Sequence, residues 1–321
     1  MNKILLLLIL SLSFGCSIIT RDTEDAFYTY EMNHLSFNCA FSPRDTGEDI
    51  VFNGKMWISN GYYHGNVTSR DLWSSINGVT WNMEVSDTPY DSYSEMVVYN
   101  GKIWAIKGSV WNSSDGVNWQ LISSTTPFGI RSYGETVVFK NKIFQLGNGM
   151  DVWSTEDGVN WELIANQAPY GNRKNSFVTV FNGRLWLMGG YREETATPPE
   201  QAYSGFTSFN DVWVSDNGKD WSLVTLNATW TERQWSIVKV FDNKMWIIGG
   251  FSNKENRNLN DTWFSSDGVT WTEFTSGLMY TPRHEATVIP FEGSLYILAG
   301  NEHPVLNDSW RIDKVPVPII D

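Results

Sequence analysis

Val178-Thr-Val-Phe-Asn-Gly-Arg-Leu-Trp186-Leu-Met-Gly-Gly190, followed after an interval by Asn210-Asp-Val-Trp213-Val-Ser-Asp-Asn-Gly218-Lys-Asp-Trp221, is the stretch whose reading decides the fold. It returns almost unchanged at Val238 to Gly250 with Asn260 to Trp271. Earlier copies run Val51 to Gly61 with Asp71 to Trp81, Val97 to Gly108 with Val110 to Trp119, and Val137 to Gly147 with Asp151 to Trp161. A sixth begins at Val288 and reaches Asn307-Asp-Ser-Trp310. Trp73 and Trp81, Trp111 and Trp119, Trp153 and Trp161, Trp213 and Trp221, and Trp263 and Trp271 are each eight residues apart, a regularity that chance does not produce. Each unit holds four short β-rich runs separated by Asn-Gly, Gly-Gly and Asp-Gly turns, which reads as a four-stranded antiparallel sheet. Six such sheets around an axis make an all-β, six-bladed propeller, expected over residues 27–315.

The sixth unit lacks a fourth strand after Trp310, which would leave an open sheet edge. The fourth-strand Trp of one blade precedes the second-strand aromatic of the next by 25 residues: Trp119 to Phe144, Trp161 to Trp186, Trp221 to Trp246, Trp271 to Tyr296. Counting back the same distance from Trp57 lands on Met32, so the strand-like run Phe27 to Phe37 is expected to close blade six.

The double glycine after strand two, followed by Asn-Asp-x-Trp, resembles the kelch repeat and the central domain of galactose oxidase over about residues 28–315. The Ser-x-Asp-Gly-x-x-Trp turns are more distantly similar to the Asp-boxes of sialidases. The copper chemistry that the galactose oxidase resemblance would imply needs a Tyr-Cys crosslink and two histidines. It finds no match at Cys39, which is expected on the closing strand. No cofactor and no metal are expected.

The formal net charge is −13 and the pI about 4.7, which argues against a nucleic-acid partner, since phosphate backbones are bound through clustered Lys and Arg. Met-Asn-Lys precedes an apolar run from Ile4 to Leu12 that ends in Ser13-Phe14-Gly15-Cys16. This is the form of a secretory signal, too short to span a bilayer. Gly15-Cys16 resembles a bacterial lipobox, so residues 1–15 are expected to be a signal peptide. Cys16 would be the lipidated residue, residues 16–26 a tether to the membrane, and 316–321 a short tail. The expected location is the bacterial cell envelope, with Ser17 and the absence of an early Asp compatible with the outer membrane. Cys39 is then the remaining thiol, and no intramolecular disulfide is expected.

In a propeller, the loops after strand four and between strands two and three share one mouth of the central channel. Their lengths vary here: Trp186 to Trp213 is 27 residues, whereas Trp104 to Trp111 is seven. Variable loops on a fixed scaffold are where binding resides. Thirteen residues before each second-strand aromatic stand Arg44, Asp91, Arg131, Arg173, Arg233 and Arg283. Five such arginines could fork onto an anion at the mouth, or could belong to the kelch pattern and bond loop carbonyls between blades. Three residues earlier lie Phe41, Phe128, Tyr170, Trp230 and Tyr280, with Tyr90 equivalent, a regularity that reads as packing. Two residues after the arginine position the series is Thr46, Tyr93, Tyr133, Asn175, Trp235 and Glu285, where the repeat does not fix the residue and ligand-specific contacts are more credible.

Trp235 in particular could stack on a sugar ring or pack between blades. Acid and base candidates at the mouth are His284, Glu285, Glu302, His303, Glu193 and Glu194, with His284 and Glu285 the catalytic candidates. Two functions are carried forward. One is an envelope-anchored binding module for a glycan, a small anionic ligand or a partner protein. The other is a sugar-processing enzyme resembling the periplasmic sialic acid mutarotases (N-acetylneuraminate epimerases), six-bladed kelch proteins.

Overall fold

The computed structural model describes residues 20–21, 27–63, 67–193 and 205–317. The signal-like residues 1–15, Cys16 and Glu194 lie outside the described residues. Five four-stranded antiparallel sheets and one of five strands form six blades, and no α-helix occurs among the described residues. The inner strands are Glu48–Phe52, Glu95–Tyr99, Glu135–Phe139, Phe177–Phe181, Ile237–Phe241 and Thr287–Phe291. Each neighbours the next, and the last meets the first, so they enclose a central channel.

Side-chain burial follows the radial position of each strand. The second strands Lys55–Ser59, Lys102–Ile106 and Lys142–Leu146 are buried at every position after the first, because a blade on either side covers both faces. The outer strands Trp119–Ser123 and Trp161–Ala165 are only partly covered.

Two aromatic contacts recur around the ring. Within a blade, the aromatic before strand one meets the fourth-strand Trp edge to face: Phe41 on Trp81 at 5.3 Å, Tyr90 on Trp119 at 4.6 Å, Phe128 on Trp161 at 4.9 Å, Tyr170 on Trp221 at 5.2 Å, and Trp230 on Trp271 at 6.2 Å. These pairs pack beneath the loops, which is what the regularity of the series suggested. Between blades, the glycine of each Asp-Gly or Asn-Gly turn lies flat on the second-strand aromatic of the preceding blade. A Cβ on Gly116 would stand 2.6 Å from Trp57, and one on Gly268 would stand 2.1 Å from Trp186. Both glycines also have positive φ, +84° and +74°, so turn geometry and blade spacing make the same demand.

Closure is as the 25-residue spacing requires. Phe27–Ser36 pairs antiparallel with Val305–Pro316 and supplies the fourth strand of blade six. Met32 stands opposite Ile312, the place that Trp221 takes opposite Ser215 in blade four. Tyr30, also on the closing strand, meets Trp246 edge to face at 4.9 Å in place of the missing turn glycine. Cys39 lies just beyond this strand and not on it, contrary to expectation, because the pairing ends at Ser36 and the chain turns inward there. Its buried thiol is pushed up to about 11 by desolvation, which makes it unreactive.

Deleting Phe27–Ser36 should strip a full strand from blade six and expose its edge. Loss of the buried Tyr30 and Met32 alone removes about 1.5–3 kcal/mol each. The expected result is aggregation or a melting temperature lowered by well over ten degrees. An unchanged thermal transition would show that the strand is only an accessory to the ring.

Candidate functional site at the channel mouth

The five arginines of the repeat are not free donors. Arg173 and Asp211 are both buried and form a forked pair, Nη1 to Oδ1 at 2.6 Å and Nη2 to Oδ2 at 2.9 Å, while Nη1 also donates to the Gly189 carbonyl at 3.2 Å. The same fork joins Arg44 to Asp71, Arg233 to Asp261 and Arg283 to Asp308, and Arg131 bonds Asp151 and Gln145. Asp71, Asp151 and Asp211 stand just before the third strand of their blades and Asp261 and Asp308 within it, and each accepts a further bond at 2.7 Å from the indole two residues on: Trp73, Trp153, Trp213, Trp263 or Trp310. The guanidinium of Arg44 also lies over Phe41 at 5.3 Å, and that of Arg283 over Tyr280 at 5.5 Å. In this geometry each arginine is committed chiefly to an aspartate of its own blade, with carbonyls of that blade as further acceptors for four of them, and not to loop carbonyls between blades. Blade two lacks both partners together: Asp91, exposed, stands where the arginine would be, and Ser109 takes the place of the aspartate.

Two residues beyond the arginine position the chain turns toward the channel. Thr46, Tyr93, Tyr133, Asn175, Trp235 and Glu285 all adopt left-handed backbone, with φ between 50° and 65°. That conformation is costly for Thr, Tyr and Trp, and non-glycine residues held there concentrate at functional sites. A backbone chain across three blades contributes to holding them: Glu285 N donates to the Trp235 carbonyl at 2.8 Å, and Thr46 N to the Glu285 carbonyl at 3.2 Å. The ring encircles the mouth. Tyr93, Tyr133, Trp235, His284 and Glu285 line an open cavity of about 810 Å3 together with Asp45, Tyr62, Asn301 and His303. The Trp235 ring is 5.0 Å from the His284 ring, and the Tyr93 and Tyr133 rings are 5.6 Å apart.

The channel below holds a second space of about 200 Å3, lined by Glu48, Asp49, Glu95, Glu135 and Lys239. Lys239 pairs with Asp49 at 2.9 Å. Crowded away from bulk water, the carboxyls resist ionising: desolvation and then the Asp49 charge raise Glu48 to about 8, and desolvation and then the Glu48 charge raise Glu135 to about 8. Glu95 is raised by the same causes. At the mouth, burial and then the Asp45 charge lift Glu285 to about 8, while burial and His303 lower His284 to about 3. At neutral pH the mouth therefore presents a protonated carboxyl and a neutral imidazole, with aromatic faces beside them.

The remaining candidates lie at the rim. Glu193 pairs with Lys174 at 2.8 Å, Glu302 accepts from Thr281 at 3.0 Å, and His303 is exposed beside His284, ring centres 5.7 Å apart. Sequence reasoning missed Asp45, the channel carboxylates and Lys239. The signal was present for the glutamates, since Glu48, Glu95 and Glu135 each stand nine residues before the second-strand aromatic. Asp45 and His284 likewise share one repeat position, immediately after the arginine.

No protein-family model matches the chain, and no curated protein is significantly similar to it.

Two outcomes follow. Arg173→Ala should lower unfolding free energy by about 3–5 kcal/mol, because Asp211 is left buried and unpaired, without changing what the mouth binds. Chemical denaturation measures the first, and an undiminished stability would return the arginine to the mouth. The second outcome concerns pH. Carboxyls titrating near 8 in the fold and near 4.5 when unfolded bind more protons in the native state, so their stabilisation is lost as pH rises through about 8. His284, kept neutral, has the opposite effect but only below its ordinary value of 6.5. Calorimetry between about pH 7 and pH 8.5 should thus show a falling melting temperature, and Glu135→Gln should flatten the fall and raise the upper value by about 2–4 °C. A slope that the variant leaves intact would contradict the carboxyl assignment.

Proposed function

We propose that the chain is a kelch-type propeller, anchored at the bacterial envelope through Cys16, that binds a neutral glycan in the mouth cavity. The observation that carries this reading is the lining of the mouth cavity, where Trp235, Tyr93 and Tyr133, whose left-handed backbone recurs in every blade, stand beside His284, Glu285 and Asn301. Aromatic faces bind the apolar faces of sugar rings, and the carboxyl of Glu285, the His284 imidazole and the Asn301 amide offer donors and acceptors for hydroxyls. The cavity is of a size suited to one or two sugar units. A small anion is the less favourable ligand: four arginines are forked onto aspartates and Arg131 is bonded to its own, and six carboxyls, Asp45, Glu48, Asp49, Glu95, Glu135 and Glu285, line the two spaces with one lysine, Lys239.

Sugar processing of the mutarotase or epimerase kind is the second reading. Its support is Glu285, a carboxyl still protonated near neutrality and so able to serve as an acid, beside His284, whose imidazole is made a weak base by burial.

Binding of neutral and sialylated oligosaccharides, followed by calorimetry, tests the first reading. Trp235→Ala should weaken binding of neutral sugars about tenfold or more, by loss of about 1–3 kcal/mol of stacking, while the thermal transition stays within a few degrees of the parent. Equal affinity in the variant would remove the stacking role. Anomer exchange of a reducing sugar, measured by NMR on the same samples, separates a binder from an enzyme.

A further inference from the structure

Asp45 and Thr46 of blade one meet His284 and Glu285 of blade six at the seam where the ring closes. One potential ligand atom from each of Asp45, His284 and Glu285 lies within 4.8 Å of the other two. The three are not simply neighbouring polar groups, because each is oriented by a partner of its own. Asn301 Nδ2 donates to Asp45 Oδ2 at 2.7 Å, and Thr46 Oγ1 donates to Glu285 Oε2 at 2.8 Å. His284 Nδ1 is 2.7 Å from Asn258 Oδ1, and the orientation of that amide is set by its Nδ2, which donates to the Asn301 carbonyl at 2.8 Å. An amide oxygen can only accept, so Nδ1 carries the proton and the lone pair is on Nε2. His284 is 7% exposed, lines the mouth cavity, and has no hydrogen-bond partner for Nε2 among the described residues. A buried imidazole with its proton held by an outer partner and its lone pair left open, beside two oriented carboxylates, is the arrangement of a metal ligand set.

We infer that Asp45, His284 and Glu285 form a site for one divalent first-row metal ion, with its open coordination positions facing the mouth cavity. One nitrogen and two carboxylate ligands suit Zn2+ or Mn2+ better than Ca2+, which takes oxygen alone. A bound dication would take the place of the proton that the Glu285 carboxyl holds, since the nearby Arg44 is committed to Asp71 and cannot neutralise the pair. The channel carboxylates below form a separate group, joined to Lys239 through Asp49. Open positions facing the cavity would be completed by water or by ligand oxygens. The metal site shares His284 and Glu285 with the glycan reading, but it is defined by ligand geometry and tested without sugar.

The experiment is isothermal titration of tag-free, chelator-stripped and dialysed full chain with Zn2+ alone and with Mn2+ alone. One ion per chain is expected. His284→Ala and the isosteric Glu285→Gln should each weaken binding by at least about tenfold, and Asn258→Leu, which removes only the outer partner of the imidazole, by about tenfold. Glu135→Gln in the channel should leave the isotherm unchanged. Absence of one-to-one binding by either ion overturns the proposal. So does a native-like His284→Ala chain that binds as tightly as the parent, or a loss of binding in Glu135→Gln, which would move the ion to the channel. Should His284→Ala fail to fold, Glu285→Gln and Asn258→Leu decide on the same criteria. Failure of metal binding leaves the stacking role of Trp235 to be decided by its own variant, and loss of sugar binding in Trp235→Ala leaves the metal isotherm to decide the metal site.

Discussion

In five of the six blades one aspartate, two residues before the third-strand tryptophan, accepts both an arginine from the loop before strand one and the indole of that tryptophan. That three-way contact ties the innermost loop to the blade it precedes, and it places the loop's next residues against the channel. Buried ion pairs of this kind add little net stability compared with apolar packing, but breaking one is expensive, so they act by fixing geometry. The positions one and two residues beyond the arginine inherit that geometry. They carry Asp45, Thr46, His284, Glu285 and Trp235, the residues with most of the chemistry.

The same contact decides the electrostatics of the mouth. Arginines that might have made it a site for anions are consumed in holding the loops, and what remains around the channel is acidic. Carboxyls gathered there hold their protons to about 8 in the cases of Glu48, Glu135 and Glu285. Several carboxyls counted in the formal net charge of −13 are therefore turned inward, where they keep their protons at neutral pH. Aromatic faces, carboxyls held protonated and a neutral imidazole then share one cavity, which is what supports the proposal of a hydroxyl-bearing ligand over a charged one.

Blade two shows how closely the parts depend on one another. Where Asp91 stands in the arginine position, Ser109 stands in the aspartate position, and the loop between the second and third strands shrinks to a tight turn. A lone buried aspartate or arginine would be left without its counter-charge, so the two positions change together. Tyr93 nevertheless keeps its left-handed backbone, at φ 62°, so the ring at the mouth does not require the ion pair in every blade.

The fold and its closure were legible in the amino-acid order alone. Repeats with fixed tryptophan spacing leave only one regular arrangement, and the 25-residue interval led to Met32 because strand pairing is periodic and each blade must present the same faces to its neighbours. The repeat also marked Trp235 and Glu285 as positions it does not constrain. What the order of residues left open was whether the arginines point at the mouth or at their own blades, since both readings place them in the same loops. Only the tertiary structure decides that, because their partners, Asp71, Asp151, Asp211, Asp261 and Asp308, lie 20 to 38 residues away and the loops between differ in length. The meeting of Asp45 with His284 and Glu285 is likewise a tertiary fact. They are some 240 residues apart and become neighbours only because the last blade of a closed ring must pack against the first.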